Sequence, residues 1–235
     1  MADLDRTSAF PTATAAAERV TAFLRAVYGW MCVGLAVTAA VAYVISSSAA
    51  ITGALAANHF LFLVLFLAQL GVVLFLSARV DRLAPGTATL LFIAYAALTG
   101  VTFSVILLAY TGASIANTFM VTAGMFGALA VFGTTTSRSL AGVGQFLFMG
   151  LIGLVLATVV GMFWQNSALQ FLISVVGVLV FTGLTAWDAQ RLKQMATQIP
   201  EDKLGSYAIL GALSLYLNFI NLFLFLLRFM GGRRD

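Results

Sequence analysis

The sequence predicts an all-α, polytopic membrane protein with seven transmembrane helices, and three observations support this fold class. The composition is 62% hydrophobic and only 9% charged, with a mean hydropathy of +1.05, which is far from that of a soluble domain. Three long segments, 26–78, 83–137 and 139–187, contain no charged residue. A final uncharged segment, 204–227, is long enough to cross a bilayer core of about 30 Å at about 1.5 Å per residue.

Each of the three long segments is interrupted by residues typical of turns, and therefore predicts two spans. The turn residues are Ser46–Ser48 with Asn58 and His59 in the first segment, Tyr110–Gly112 in the second, and Trp164–Ser167 in the third. With the final segment, the predicted spans are 26–46, 59–78, 87–109, 113–133, 143–163, 168–188 and 205–228. The predicted domains are an N-terminal cytoplasmic tail (1–24), a seven-helix transmembrane domain (25–230) and a short C-terminal tail (231–235).

The distribution of cations predicts a cytoplasmic N-terminus. With that orientation nine cations lie on the cytoplasmic side, namely Arg6, Arg19, Arg25, Arg79, Arg82, Arg138, Arg191, Lys193 and Lys203. The three outer turns carry no cation, as the positive-inside rule requires. Arg228, Arg233 and Arg234 would then lie outside. A last segment that re-enters the membrane and returns would place them inside, and this alternative stays open.

The last span carries a polar stripe, which predicts that it is the buried helix of the bundle. Tyr207, Ser214, Asn218 and Asn221 follow one another at steps of 7, 4 and 3 and so share one helical face with Gly211. Two asparagines near mid-span would be costly against lipid, because their amides would lack hydrogen-bond partners. The polar residues of the stripe can serve only for hydrogen bonding between helices, or they can form part of a functional site.

Asp188 is the other unusual residue, because no other acidic residue lies between Asp81 and Glu201. A carboxylate within the membrane is a functional candidate by default, whereas one at the membrane surface could simply pair with Arg191 one turn further on. Contact with Asn218 requires the sixth helix to continue past Asp188 through residues 190–193. Arg79 ends the second span on the same side, so a cluster of Asp188, Asn218 and Arg79 is compatible with the topology.

Several classes of function are excluded or disfavoured by composition. Cys32 and His59 are the only residues of their types, so an intramolecular disulfide and a multi-histidine or cysteine metal site are excluded. The cations lie at span ends and are not interleaved with aromatic residues, which argues against nucleic acid as a partner. The chain has no GxSxG sequence and no lysine within a span, so we expect neither an enzyme nor a retinal protein.

Two sequence motifs resemble the Bax inhibitor family, also called the transmembrane Bax inhibitor motif family, and most of all its bacterial branch. They are ALSLYLNFINLFLFLLRFMGGRR at 212–234 and FTGLTAWDAQRLK at 181–193, and the segments 91–115 and 137–153 are similar as well. The resemblance implies seven helices with the last one central, a pH-sensitive calcium leak, and a pair of aspartates from the sixth and seventh spans that shares a proton. It also implies a basic residue at the end of the second span, where Arg79 lies, that pairs with the first aspartate.

This chain departs from the family pattern at the second aspartate. Asp188 matches the first acidic position, but the chain reads Tyr216-Leu217-Asn218-Phe219 where the family has aspartate in place of the asparagine. Two close carboxylates cannot both ionise cheaply, so such a pair holds a proton near neutral pH. Asn218 resembles a protonated aspartate that never releases its proton. We therefore expect a weaker or displaced pH response, with Asp188, Asn218 and Arg79 as the sensor.

The predicted function is a pH-modulated leak for calcium or other cations, located in a bacterial inner membrane. A hard cation prefers oxygen ligands, and the candidates on the pathway are Asp188, Ser214, Tyr216, Asn218 and Asn221, with weak calcium binding at Asp188. No resident cofactor is expected, and a monomer is compatible with the sequence. The alternative is a regulatory membrane protein without transport, since bacterial members of the family include a modulator of a membrane-embedded ATP-dependent protease. Residues 1–20 would suit contact with such a partner.

Overall fold

Residues 13–164 and 166–232 contain eight α-helices, and seven of these are long and apolar enough to cross a membrane. The structure is a computed structural model that describes residues 13–164 and 166–232, and every regular element within them is helical. The helices are α1 (Ala13–Ser46), α2 (Ala49–Ala57), α3 (His59–Arg79), α4 (Pro85–Ala109), α5 (Gly112–Thr135), α6 (Ala141–Phe163), α7 (Ser167–Met195) and α8 (Leu204–Met230). The nine-residue α2 is the short one. The predicted all-α membrane fold with seven spans is confirmed.

The helices begin at the turn residues that the sequence marks. Asn58 caps α3 by accepting a hydrogen bond from Leu61 N at 3.1 Å, and Asn166 caps α7 by accepting one from Ala168 N at 2.9 Å. These side chains satisfy backbone donors that the first helical turn leaves unpaired. Pro85 opens α4, where its missing N–H costs nothing.

Two features at the start of the chain differ from the prediction. Helix α1 begins at Ala13, well before the predicted start at residue 26, so the second half of the predicted tail (1–24) is helical. The segment around Ala15–Ala17 is rich in alanine, the strongest helix former, which explains the extension. A further short helix, α2, lies between the two predicted turn signals of the first segment. Residues 1–12 and 233–235 of the predicted tails lie outside the described residues.

Helix α8 is the centre of the bundle, as its polar stripe predicts. In its most apolar stretch 72% of the residues are buried, whereas 39% or less are buried in the corresponding stretch of every other span. It packs against α1, α3, α4, α5 and α7, while α6 packs on the outside against α7. Where α5 meets α7 the backbones approach closely, and a Cβ at Gly133 would overlap the carbonyl oxygen of Ala186.

The ends of α8 lie at opposite ends of the bundle, which contradicts the re-entrant alternative. Its first turn is tied to the α3–α4 turn, because Ser206 Oγ donates to Leu83 O at 2.7 Å. Its other end meets the α4–α5 turn, where Gly232 N donates to Ser114 Oγ at 2.9 Å. The end that contains the first contact is called the basic end, since α1, α3 and α7 also place their cations there. Its assignment to the cytoplasm stays a prediction.

Candidate functional site

Asp188 and Asn218 meet at the centre of a hydrogen-bonded cluster between α7 and α8. Asp188 Oδ2 accepts a hydrogen bond from Asn218 Nδ2 at 2.7 Å and another from Ser214 Oγ at 2.7 Å. Asp188 and Asn218 are each only 6% exposed, so the carboxylate is buried rather than at the surface. The alternative of a surface aspartate paired with Arg191 is therefore wrong. The guanidinium of Arg191 instead lies over the ring of Trp187, 5.5 Å from its centroid.

Helix geometry explains why these three residues meet. Ser214 and Asn218 are four residues apart and therefore lie one above the other on the same face of α8. Helix α7 runs antiparallel to α8 and continues to Met195, two turns beyond Asp188, as the contact requires. This continuation brings the carboxylate level with Ser214 and Asn218. The predicted pairing of Asp188 with the polar stripe is present in the structure.

A cavity of 330 Å³ leads to the cluster from the basic end. It lies between α3, α7 and α8, and extends from Tyr207 to Leu217, about 15 Å along α8. Its wall is formed by Val73, Ser77, Asp188, Arg191, Leu192, Met195, Tyr207, Leu210, Gly211, Leu213, Ser214 and Leu217. Asp188 Oδ1 accepts no hydrogen bond within the described residues and is not among their buried unpaired atoms, so it faces this cavity.

Beyond Asn218 the interface between α7 and α8 is closed by apolar packing. The ring of Phe225 stacks on that of Phe181, with centroids 5.8 Å apart and planes inclined by 24°. Gly177 makes room for this ring, because a Cβ there would lie 2.6 Å from Phe225 atoms. Leu222 is fully buried on the same side. Along this interface the polar cluster thus borders a cavity toward the basic end and apolar packing toward the opposite one.

Three predicted site residues lie apart from the cluster. Tyr216 faces α1, where its hydroxyl is 2.6 Å from Thr38 Oγ1, and Thr38 in turn donates to Ala96 O at 2.9 Å. Asn221 Nδ2 donates to Leu217 O at 2.8 Å within its own helix. Arg79 is exposed, with its guanidinium 6.0 Å from the centroid of the Phe75 ring, so the structure does not bring it to Asp188.

Two contacts at the basic end were not predicted. Gln190 is buried on α7, where its Oε1 accepts from Leu140 N at 2.8 Å and its Nε2 donates to Arg138 O at 2.9 Å. This side chain fixes the α5–α6 turn to α7. Tyr207, at the mouth of the cavity, donates its hydroxyl hydrogen to Asp81 in the α3–α4 turn. The available sequence signal for the first contact was a glutamine, Gln190, two residues after Asp188 in the motif at 181–193.

Comparison with known proteins identifies the family. The family model described as "Inhibitor of apoptosis-promoting Bax1" matches residues 20–235, nearly the whole chain. The chain belongs to the Bax inhibitor-1 family. The resemblance inferred from the motifs at 181–193 and 212–234 is therefore confirmed.

Bacterial members of the Bax inhibitor-1 family cover almost the full length of the chain. The inner membrane protein YbhL of Escherichia coli K12 is 51% identical over 215 residues, which is 90% of this chain and 92% of YbhL. A Borreliella burgdorferi protein is 44% identical over 91% of this chain and 93% of its own length. The protein RP147 of Rickettsia prowazekii is 41% identical over 93% of this chain and 92% of its own length.

The cluster provides only a few oxygen ligands for a cation. Asp188 Oδ1 and the lone pairs of Ser214 Oγ are the oxygens near the inner end of the cavity. Within the described ranges, no group of three or more His, Cys, Asp or Glu side chains could hold a metal ion. Calcium takes six to eight oxygen ligands when it is bound tightly. The arrangement therefore suits brief contact with a passing ion better than retention.

Proposed function

We propose that the chain is a passive cation leak whose pathway passes Asp188, with pH as a modulator. The observation that carries this proposal is the buried Asp188 carboxylate, which presents Oδ1 to a cavity reached from the basic end. A buried carboxylate that lines a cavity in a membrane protein is typical of ion and proton pathways. Calcium is the permeant ion that membership in the Bax inhibitor-1 family suggests.

The packing supports a closed form of such a pathway. A cation that reaches Asp188 from the basic end meets the stacked rings of Phe181 and Phe225 beyond it. Apolar constrictions of this kind block ions because water does not wet them. Conduction would require α7 and α8 to separate at these rings, while the cavity side needs little change.

The location proposed for the chain is a bacterial inner membrane, with the basic end in the cytoplasm. YbhL of E. coli is named an inner membrane protein, and the proposal places this chain in a bacterial inner membrane as well. The end that contains Arg79, Lys193 and Lys203 would face the cytoplasm under the positive-inside rule. The cavity would then open toward the cytoplasm.

Calcium flux into liposomes that contain the purified protein tests the proposal. The Asp188→Asn variant keeps the size of the side chain but removes its charge, so it should lower the flux by at least about tenfold. Asp202→Asn is the matched control, because Asp202 is an exposed carboxylate in the α7–α8 loop and its loss should leave the flux unchanged. Equal flux from the Asp188 variant and the native chain would contradict the proposal.

The regulatory alternative stays a prediction. Its contact segment, residues 1–20, lies mostly outside the described residues, so no contact in the structure favours it. The same liposomes discriminate between the two functions, because a regulator would carry neither calcium nor monovalent cations at any pH. Capture of a membrane-embedded ATP-dependent protease that is lost when residues 1–12 are deleted would then support the alternative.

A further inference from the structure

We infer that the pathway of this chain favours monovalent cations over calcium. The inference rests on the proposed function and concerns only which ions pass. It follows from the charges that line the cavity and from the way in which the Asp188 carboxylate is hydrogen-bonded.

The cavity wall carries one negative and one positive formal charge. Among the described residues of the wall, Asp188 is the only carboxylate and Arg191 is the only cation. The polar groups of Ser77, Tyr207 and Ser214 are neutral hydroxyls. The formal charge of the lining is therefore zero. A divalent ion inside it would keep two uncompensated charges in a low-dielectric environment, where a monovalent ion would keep only one.

Hydrogen bonding weakens the carboxylate further as a cation ligand. Asn218 Nδ2 and Ser214 Oγ both donate to Asp188 Oδ2, so the positive ends of two dipoles already lie against that oxygen. Only Oδ1 remains directed into the cavity. A cation there meets a single charged oxygen, whereas calcium sites usually collect several carboxylate and carbonyl oxygens. Calcium also loses more hydration energy than sodium or potassium when it leaves water, since the cost of burying an ion rises steeply with its charge.

Asn218 is the residue that sets this balance. An aspartate at the same place would put a second carboxylate within hydrogen-bond distance of Asp188, and it would remove the amide hydrogens that now contact Oδ2. The lining and the aspartate beside it would then carry a net negative charge whenever both carboxylates are ionised. Loss of the Arg191 charge, one turn after Asp188 on α7, would change the net charge by the same amount.

Paired flux measurements test the inference. Liposomes that contain the native chain would be loaded with a potassium or a calcium indicator, and initial rates compared at equal ion activity and about pH 8, where paired carboxylates can ionise. We expect potassium to enter at least about tenfold faster than calcium. Asn218→Asp and Arg191→Gln should each raise the calcium-to-potassium ratio by about tenfold or more, because the first adds a negative charge beside Asp188 and the second removes the positive charge of the lining.

Asp202→Asn is the control, since it changes the formal charge by one at an exposed carboxylate outside the cavity wall, and its ratio should stay within about twofold of the native value. Calcium entry as fast as potassium entry in the native chain would overturn the inference, as would an unchanged ratio in both charge variants. Absence of flux for every cation would instead contradict the proposed function. The use of two variants on different helices keeps the test valid if one of them fails to fold.

Discussion

The two halves of the α7–α8 interface differ in what fills the space between the helices. Toward the basic end, Asp188, Ser214 and Asn218 form a polar cluster beside a 330 Å³ cavity. Toward the opposite end, the rings of Phe181 and Phe225 stack with centroids 5.8 Å apart and belong to one apolar cluster. The same pair of helices therefore contains both an open approach to a carboxylate and the barrier beyond it. An ion pathway that is closed at rest needs both parts.

The neighbouring helices explain the difference. In the closed half, α6 joins α7 and α8 in one apolar cluster that includes Leu154 on α6 and Leu226 on α8. In the open half the third wall is α3, which packs mainly on α4 and touches α8 at few places. Only 6% of the residues in the most apolar stretch of α3 are buried. This helix therefore packs loosely on its neighbours and leaves the space beside Asp188 unfilled.

The largest effect is expected from truncation in the closed half. Phe225→Ala would remove the ring that stacks on Phe181 and fits against Gly177, leaving a cavity, and should lower the free energy of unfolding by about 3 kcal/mol. The matched variant in the open half is Leu210→Ala, which enlarges an existing cavity and should cost below about 1 kcal/mol. Denaturant unfolding in micelles measures both. Equal costs would mean that the two halves are packed alike.

A smaller loss is expected when the turn at the basic end is released. Gln190→Ala leaves Leu140 N and Arg138 O without their partner, and should lower the free energy of unfolding by about 2 kcal/mol. Gln194→Ala on the same helix is the control, since Gln194 is exposed and its loss should cost within about 0.5 kcal/mol. If the two variants were equally stable, the two hydrogen bonds of Gln190 would contribute nothing to the fold.

Tyr216→Phe should have a still smaller effect, and one confined to stability. The change removes the hydroxyl that contacts Thr38, with an expected cost of about 1 kcal/mol, while cation flux stays unchanged because this hydroxyl faces away from Asp188. Tyr43→Phe controls for the substitution itself, since Tyr43 is 74% exposed. A loss of flux in the Tyr216 variant without a loss of stability would indicate that Tyr216 is part of the ion pathway.

The last prediction concerns the pH dependence of flux rather than stability. Because Asp188 is the single carboxylate among the described residues of the cavity wall, flux should fall in one step as pH is lowered, since protonation removes the negative charge that attracts a cation. Asn218→Asp should convert this profile into two coupled steps, as expected for paired carboxylates. Flux recorded across about pH 6 to 8 measures both profiles. Superimposable profiles would show that Asn218 does not set the pH response.

The contact between α7 and α8 was predictable because it depends on local geometry. A helical period places Ser214 and Asn218 on one face, and a short loop between two spans makes them antiparallel neighbours. The same period places Tyr216, two residues from each, on the opposite face. The position of Tyr216 in the structure therefore follows from the sequence. Its prediction as a pathway residue together with Ser214 and Asn218 overlooked this period.

The remaining parts depend on packing that no local pattern records. The direction of Arg79 is set by how α3 lies on α4, and a uniformly apolar helix gives no sign of which face will meet its neighbour. Gln190 bonds to backbone groups of the α5–α6 turn, and any sequence there would offer the same atoms. The cavity itself is a gap between three helices, and its existence depends on the loose contacts of α3.

The most direct test of the account asks whether water reaches the α7–α8 interface from one end only. In a Cys32→Ser background, Leu217→Cys places a thiol in the cavity wall and Leu222→Cys places one in the closed half of the same helix. A cationic, membrane-impermeant thiol reagent would be added to either side of the membrane separately. We expect the thiol at 217 to react from the basic end alone and the thiol at 222 to react from neither side. Equal reaction at the two positions, or protection of the thiol at 217 from both sides, would contradict this expectation.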